Sequence, residues 1–228
     1  MIGTHSHIPR EQAALLKHYA QQFRAVMLLG PRQSGKSTLV RAVFPDKPYA
    51  SLENPDERLL AERDPKAFLG RFPHGAVLDE VQRTPILLNY LQGVLDSSDR
   101  DGLFILTGSN NILLQENISQ TLAGRVGVLD LLPLSVCELE AVGRSPGVND
   151  LILLGFYPEV HAKGREPQAW YNAYLRTYVE RDVRQIKNIA DTMLFTRFVQ
   201  LCAGRIGQAL NAAALSNACG IDVRTVNA

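Results

Sequence analysis

Gly30-Pro31-Arg32-Gln33-Ser34-Gly35-Lys36-Ser37 sets two glycines, a lysine and a hydroxyl at the spacing G-x-x-x-x-G-K-S. Its flanks constrain the fold more than the octet does. Ala25-Val26-Met27-Leu28-Leu29 is a short apolar run that fits a buried strand. Thr38 to Phe44 reads as a helix stopped by Pro45. Strand, glycine loop and helix in this order aim successive backbone N–H groups and a helix N-terminus at one point. That is a cradle for an anion, and the spacing is that of phosphate-binding loops.

The pattern around the loop repeats. Tyr49 to Leu52, Gly75 to Asp79, Leu103 to Ser109 and Arg125 to Leu132 read as further strands, with helical stretches between them. Their apolar residues run almost continuously instead of alternating, which predicts a parallel sheet covered on both faces. Ahead of the first strand, Pro9 to Phe23 predicts an amphipathic helix with Leu15, Leu16, Tyr19 and Phe23 as its stripe. Glu53-Asn54-Pro55-Asp56 reads as a turn. Thr84-Pro85 opens a helix that Thr84 caps, with Leu87, Leu88, Leu91, Val94 and Leu95 as its buried face. Asn111 to Gly124 reads as another helix.

Ligands of such sheets sit beyond the carboxyl ends of the strands. Asp79 and Glu80 end one strand, and Thr107-Gly108-Ser109-Asn110 ends the next. Lys36 would reach the β- and γ-phosphates of a nucleotide, and Ser37 would ligate Mg²⁺ through its hydroxyl. Asp79 is the expected magnesium carboxylate, and Glu80 the base that orients and deprotonates an attacking water. Ser109 or Asn110 would hydrogen-bond the γ-phosphate or place that water. Arg125 is a candidate to neutralise charge in the site of a neighbouring copy, with a plain surface ion pair as the alternative. All of these groups are expected at one edge of the sheet. Gly30, Pro31, Arg32, Gln33, Ser34, Gly35, Lys36, Ser37 and Thr38 form the expected nucleotide-binding set.

From Pro133 onward helices replace strands. Gln168 to Asn188 predicts a long helix with Trp170, Tyr174 and Tyr178 on one face. Residues 207–226 fit a helix-turn-helix: Leu215 and Cys219 face inward, Gly220 makes the turn and Asp222 caps the second helix. Arg224, Thr225 and Asn227 would then be exposed, and residues 211–228 are a candidate DNA contact; the alternative is a helix pair used for packing, since the segment lacks a basic cluster. The chain stops inside that second helix, as a truncated fragment would.

Bulk properties narrow the classes. The formal net charge is +1, so any nucleic-acid surface must be local. Cys137, Cys202 and Cys219 are scattered and read as reduced thiols. His5 and His7 have no further ligands at metal-site spacing. The start of the chain has no signal pattern and no run is long enough to span a bilayer, so a cytoplasmic protein without membrane contact is expected.

Taken together, G-P-R-Q-S-G-K-S, V-L-D-E-V-Q-R, F-I-L-T-G-S-N, L-A-G-R-V, L-L-P-L-S-x-x-E, G-F-Y-P-E-V and Y-V-E-R-D-V resemble the bacterial and archaeal AAA-family ATP-binding proteins, which carry an AAA domain and a C-terminal domain of unknown function. The resemblance runs in the family's order from about Ile8 to the end. It implies an α/β fold of the P-loop NTPase kind, a three-layer α/β/α parallel sheet over residues 1–140. It implies a helical lid over 141–200 and the start of a winged helix over 201–228. It further implies Walker A at Gly30–Thr38, Walker B at Asp79 and Glu80, a sensor at Ser109 or Asn110, and an arginine finger at Arg125. The expected ligands are ATP and Mg²⁺, with homo-oligomerisation through Arg125. Three function classes follow: a Mg²⁺-dependent ATPase, a nucleotide-gated binding module with negligible turnover, and a small-molecule kinase. The direct Asp79–Glu80 succession and the sensor-like turn argue against the kinase.

Overall fold

A computed structural model of the chain describes residues 8–109, 121–181 and 192–226. It divides into two compact units that meet in sequence between Arg165 and Glu166. Among the described residues of the first unit, helix α1 (Gln12–Tyr19) leads to strand β1 (Ala25–Gly30), followed by α2 (Lys36–Val43), β2 (Tyr49–Ser51), α3 (Pro55–Arg63) and α4 (Pro65–Gly70). Then come β3 (Ala76–Asp79), a 3₁₀ turn (Val81–Arg83), α5 (Ile86–Asp96), β4 (Phe104–Ser109) and β5 (Val126–Asp130). Helices α6 (Val136–Glu140), α7 (Val148–Leu154) and α8 (Pro158–Lys163) complete the unit.

The strands form one sheet in the order β2-β3-β4-β1-β5, and every pairing is parallel. Side chains of a strand point alternately to its two faces. Ala25, Met27 and Leu29 enter one core with Phe68, Leu87, Leu88, Leu91 and Leu95. Val26 and Leu28 enter the other with Leu16, Leu39 and Val40. Helices therefore cover both faces, which is why β1 reads as an unbroken apolar run. Each fully buried Leu or Phe contributes about 1.5–3 kcal/mol relative to leaving it in water.

The expectation of continuous burial fails at β5. It is one of the two edge strands, its burial alternates, and Val128 is 44% exposed; at the other edge, Tyr49 of β2 is exposed as well. On α1, Leu16 is buried but Leu15 is not; on α5, Val94 is likewise exposed. Both helices bury a narrower stripe than their apolar residues allow. Pro55 starts α3 instead of closing a turn, with the Asn54 side chain accepting from Asp56 N at 2.9 Å. Thr84 does not cap α5: its Oγ1 is buried and, among the described residues, has no partner, while its carbonyl accepts from Leu87 N. The helix expected from Asn111 lies largely outside the described residues.

The first unit runs past the expected boundary at residue 140. Leu134 and Leu139 pack with Ile8, and Val142, Leu151 and Phe156 close over them. That cluster ties α6 and α7 to the start of the chain.

One side chain locks the loop after β1 in place. Arg10 Nη1 donates to Ser34 O at 2.6 Å, and Nη2 donates to Leu132 O at 2.6 Å and Pro133 O at 3.2 Å. Its Nε pairs with Glu138 Oε1 at 3.0 Å, with both side chains almost wholly buried. Glu138 also accepts from the backbone N–H of Glu11 and of Ser135, the latter within a capping box that starts α6.

The second unit contains α9 (Pro167–Arg181), α10 (Thr192–Ala203), α11 (Ala212–Cys219) and α12 (Val223–Val226). Trp170 stacks on Tyr174 in α9. Asn211 caps α11 through Ala214 N, and Leu215 and Cys219 are buried. Gly220, at φ 73°, ends α11 in the left-handed conformation that glycine adopts without strain. Asp222 Oδ1 accepts from Arg224 N at 2.7 Å and so starts α12. Arg224 and Thr225 are exposed. Asn227 and the later part of the predicted Gln168–Asn188 helix lie outside the described residues.

Two consequences are measurable. At Gly75 (φ +83°) a Cβ would lie 1.7 Å from Leu103 O, whereas at Gly70 it would meet nothing within 4 Å. Gly75→Ala is expected to destabilise by more than about 2 kcal/mol and Gly70→Ala to change stability by less than about 1 kcal/mol, read from urea unfolding. Arg10→Met strands the buried Glu138 carboxylate and is expected to cost about 3–5 kcal/mol in the same assay.

Candidate nucleotide site

The parallel register brings the strand ends to one edge. Gly30 lies opposite Ser109, and Ser51 opposite Asp79. The glycine loop leaves this edge and enters α2 at Lys36. A Cβ on Gly30 would come within 2.2 Å of Leu131 O, so the loop begins where only glycine fits. Gly35 and Gln33 hold positive φ angles of 97° and 60°. Ser34 is buried, and its Oγ has no partner among the described residues. Thr38 is exposed, and Pro31 and Arg32 are half-buried.

Lys36 is 4% exposed. Its Nζ donates to Gly30 O at 3.0 Å and Pro31 O at 2.9 Å. Burial holds its pKa below the usual lysine value, opposed by the nearby Glu80 and Asp79 carboxylates. Ser37 Oγ donates to both carboxylate oxygens of Asp79, at 3.0 and 2.9 Å. Asp79 also receives the Tyr49 hydroxyl at 2.5 Å and the buried Thr107 hydroxyl. Three elements thus converge on one carboxylate: α2, β2 and β4. The Tyr49 hydroxyl is correspondingly harder to ionise, through burial and then its bond to Asp79. Arg41 lies over the Tyr49 ring, 5.0 Å from its centroid.

Glu80 turns the chain out of the sheet with φ 61° and ψ 47°, a left-handed conformation rare for a residue with a side chain. Its backbone N–H donates to Thr107 Oγ1 at 3.1 Å. Gln82 Nε2 donates to Glu80 Oε2 at 2.5 Å and to Ser109 Oγ at 3.2 Å. Burial raises the Glu80 pKa, opposed by Lys36 and by the Gln82 bond. Strain of this kind clusters at functional sites.

A cleft of about 370 Å³ opens beside the loop. Ile8, Leu134 and Pro158 give it an apolar wall, and Gln33, Lys36 and Ser37 a polar floor, a composition and size suited to a small ligand. Ser37 and Asp79 present hard oxygen donors of the kind that Mg²⁺ takes. Among the described residues, no group of three or more His, Cys, Asp or Glu side chains is arranged to hold a metal ion by itself.

The structure brings Lys36, Ser37, Asp79, Glu80 and Ser109 together. Asn110 lies outside the described residues. Arg125 is not with them. It immediately precedes β5, and its carbonyl accepts from Ala25 N at the start of β1, so it sits at the opposite, amino edge of its own sheet. There it pairs with Asp96 through Nε and, at 3.1 Å, through Nη2. The expectation of a single edge is corrected on this point: a residue entering a parallel strand cannot share an edge with loops that leave one. Arg10, Tyr49 and Gln82 were not anticipated as site residues, and Thr107 was anticipated only as part of the turn that ends its strand. The one signal for Gln82 is its place two residues after Glu80 in Asp79-Glu80-Val81-Gln82.

Comparison with known proteins adds the following. The profile of the AAA domain family matches residues 22–140, just over half of the chain, and a domain of unknown function matches residues 145–228. Uncharacterized proteins of Mycobacterium bovis and Mycobacterium tuberculosis are each 34% identical over 181 residues. That stretch covers 78% of this chain and 40% of each relative, so the chain spans well under half the length of the proteins it resembles. The solved structure of a Walker-type ATPase of Pyrococcus abyssi superposes with a TM-score of 0.55 at 15% identity, over 94% of this chain and 89% of that one. At that identity the likeness shows the fold alone. With its glycine loop, parallel sheet and family match, the chain belongs to the AAA family: an AAA domain of P-loop NTPase fold followed by a domain of unknown function.

Proposed function

We propose that the chain binds ATP with Mg²⁺ at this edge and hydrolyses it. The observation that carries the reading is the convergence of Lys36, Ser37, Asp79 and Glu80 where β1 and β3 end, beside the cleft. Lys36 would exchange the loop carbonyls for the β- and γ-phosphates, and the N–H groups at the start of α2 would point at the same charge. Ser37 and Asp79 would hold the metal, which when bound neutralises charge on the phosphate oxygens. Glu80 orients a water and takes its proton as the water oxygen bonds to the γ-phosphorus and the bond to the bridging oxygen breaks, releasing ADP and phosphate. Ser109 or Asn110 would donate to the γ-phosphate. The apolar wall of Ile8, Leu134 and Pro158 suits the base.

Arg125 would act on a neighbouring copy, exchanging Asp96 for that copy's phosphates. The exposed Arg224 and Thr225 on the α11–α12 pair favour a second reading. In it the chain is a nucleotide-gated module with negligible turnover, bound to DNA through residues 211–228. Phosphate release with and without duplex DNA separates the two. Among the described residues no helix is long and apolar enough to cross a membrane.

Lys36→Ala is expected to abolish ATP binding by calorimetry. Glu80→Gln should bind ATP like the parent and lose turnover by about 10²–10⁴-fold; unchanged turnover would remove Glu80 from the role of base. Arg125→Ala and Lys36→Ala are each expected to be inactive alone and to regain activity on mixing, because each supplies what the other lacks. If mixing restores nothing, Arg125 does not act across copies.

A further inference from the structure

Gln82 occupies a position that the reading above leaves unused. It lies in the 3₁₀ turn directly after Glu80, and one amide nitrogen joins Glu80 Oε2 and Ser109 Oγ. The two groups it joins come from the ends of neighbouring strands, β3 and β4. Nothing in the backbone forces them to move together. The sheet holds their Cα positions, and the Gln82 amide joins the two side chains. The amide oxygen of Gln82 is buried and, among the described residues, accepts nothing. Its two donated bonds are thus the polar contacts that orient the side chain, while its oxygen is enclosed by neighbouring atoms. Glu80 itself stands in a strained backbone conformation that does not fix its carboxylate.

The geometry points to Gln82 as a positioning residue that couples Ser109 to Glu80: a change at Ser109, such as its engagement of the terminal phosphate, is transmitted through the Gln82 amide to the carboxylate that handles the water. This rests on the ATP-hydrolysis reading. The chemistry suits the task. A carboxamide offers two N–H donors in one plane, so it can satisfy a carboxylate and a hydroxyl at once and swivel both when either partner shifts. A network of this kind is worth more than its separate bonds, and it shows itself as non-additivity.

The test uses the whole chain. Gln82→Met keeps the length and removes the donors; Gln82→Glu keeps the shape and sets an acceptor against Glu80. Both are expected to lower kcat by about 10–100-fold with Kd for Mg·ATP within about twofold of the parent. Retained Mg·ATP binding shows that each variant is folded. Adding Ser109→Ala to Gln82→Met is expected to cost little beyond the worse single change. Independent, multiplying effects, or a Gln82→Met enzyme within about twofold of the parent, overturn the proposal. A second readout needs no turnover. The Gln82 amide signal in a ¹⁵N-glutamine spectrum is assigned by its loss in Gln82→Met. It is expected to move on adding a non-hydrolysable ATP analogue to the parent and to move little in Ser109→Ala. Equal movement in both overturns the link even in a chain that does not hydrolyse ATP, whereas absent turnover with intact coupling overturns the hydrolysis reading alone.

Discussion

Burial on both faces of β1, β3 and β4 is the constraint from which the rest of the first unit follows. A strand covered above and below has no side chain to spare for chemistry, so polar groups with a task are pushed to its ends. Parallel pairing then decides which end. Every strand exits on the same side, and the carboxyl ends of β1, β3 and β4 deliver the glycine loop, Asp79–Glu80 and Ser109 to one rim. The core and the site are thus one arrangement, and α2 serves both: Leu39 and Val40 anchor it to the sheet while Lys36 and Ser37 face the rim.

That rim satisfies its own charges. Lys36 is held by two loop carbonyls, Asp79 by three hydroxyls, and Glu80 by the Gln82 amide. Burying a charge without partners is costly, so the charged side chains kept beside this core have internal partners, whereas the neutral Ser34 Oγ and Gln82 Oε1 have none among the described residues. A ligand therefore competes with existing bonds and gains only what its own bonds exceed them by. The opposite pKa directions of Lys36 and Glu80 express the same economy, since burial disfavours the charged form of both while each eases the other.

Much of this was legible in the chain. The apolar runs marked the strands, and the loop spacing with Asp79–Glu80 and Ser109 marked the rim, because local pattern and chain direction suffice for both. The turn at Gly220 and the burial of Leu215 and Cys219 followed from helical spacing. What could not be read depends on contacts across the chain. Arg10 and Glu138 stand 128 positions apart, and Tyr49 looks like any strand tyrosine until β2 pairs with β3. Leu15 and Val94 were misjudged because periodicity shows which side of a helix is apolar and not how wide a stripe its neighbours cover. Arg125 was misplaced for a different reason. Parallel strand direction already sets it on the far edge of its own sheet, and the role that the family resemblance implies for it suggested otherwise.

The Arg10 clamp has a bearing on where this domain begins and ends. The family match starts at residue 22 and stops at residue 140. The physical unit is larger on both sides: Arg10 backs the loop from ahead of that stretch, Ile8 lines the cleft, and Pro158 closes the cleft from beyond it. A piece cut to the bounds of the AAA-domain match would keep all the signature residues and lose Ile8, Pro158 and the Arg10 brace. In this chain, the stretch matched by the AAA-domain family is shorter than the unit that shapes the cleft.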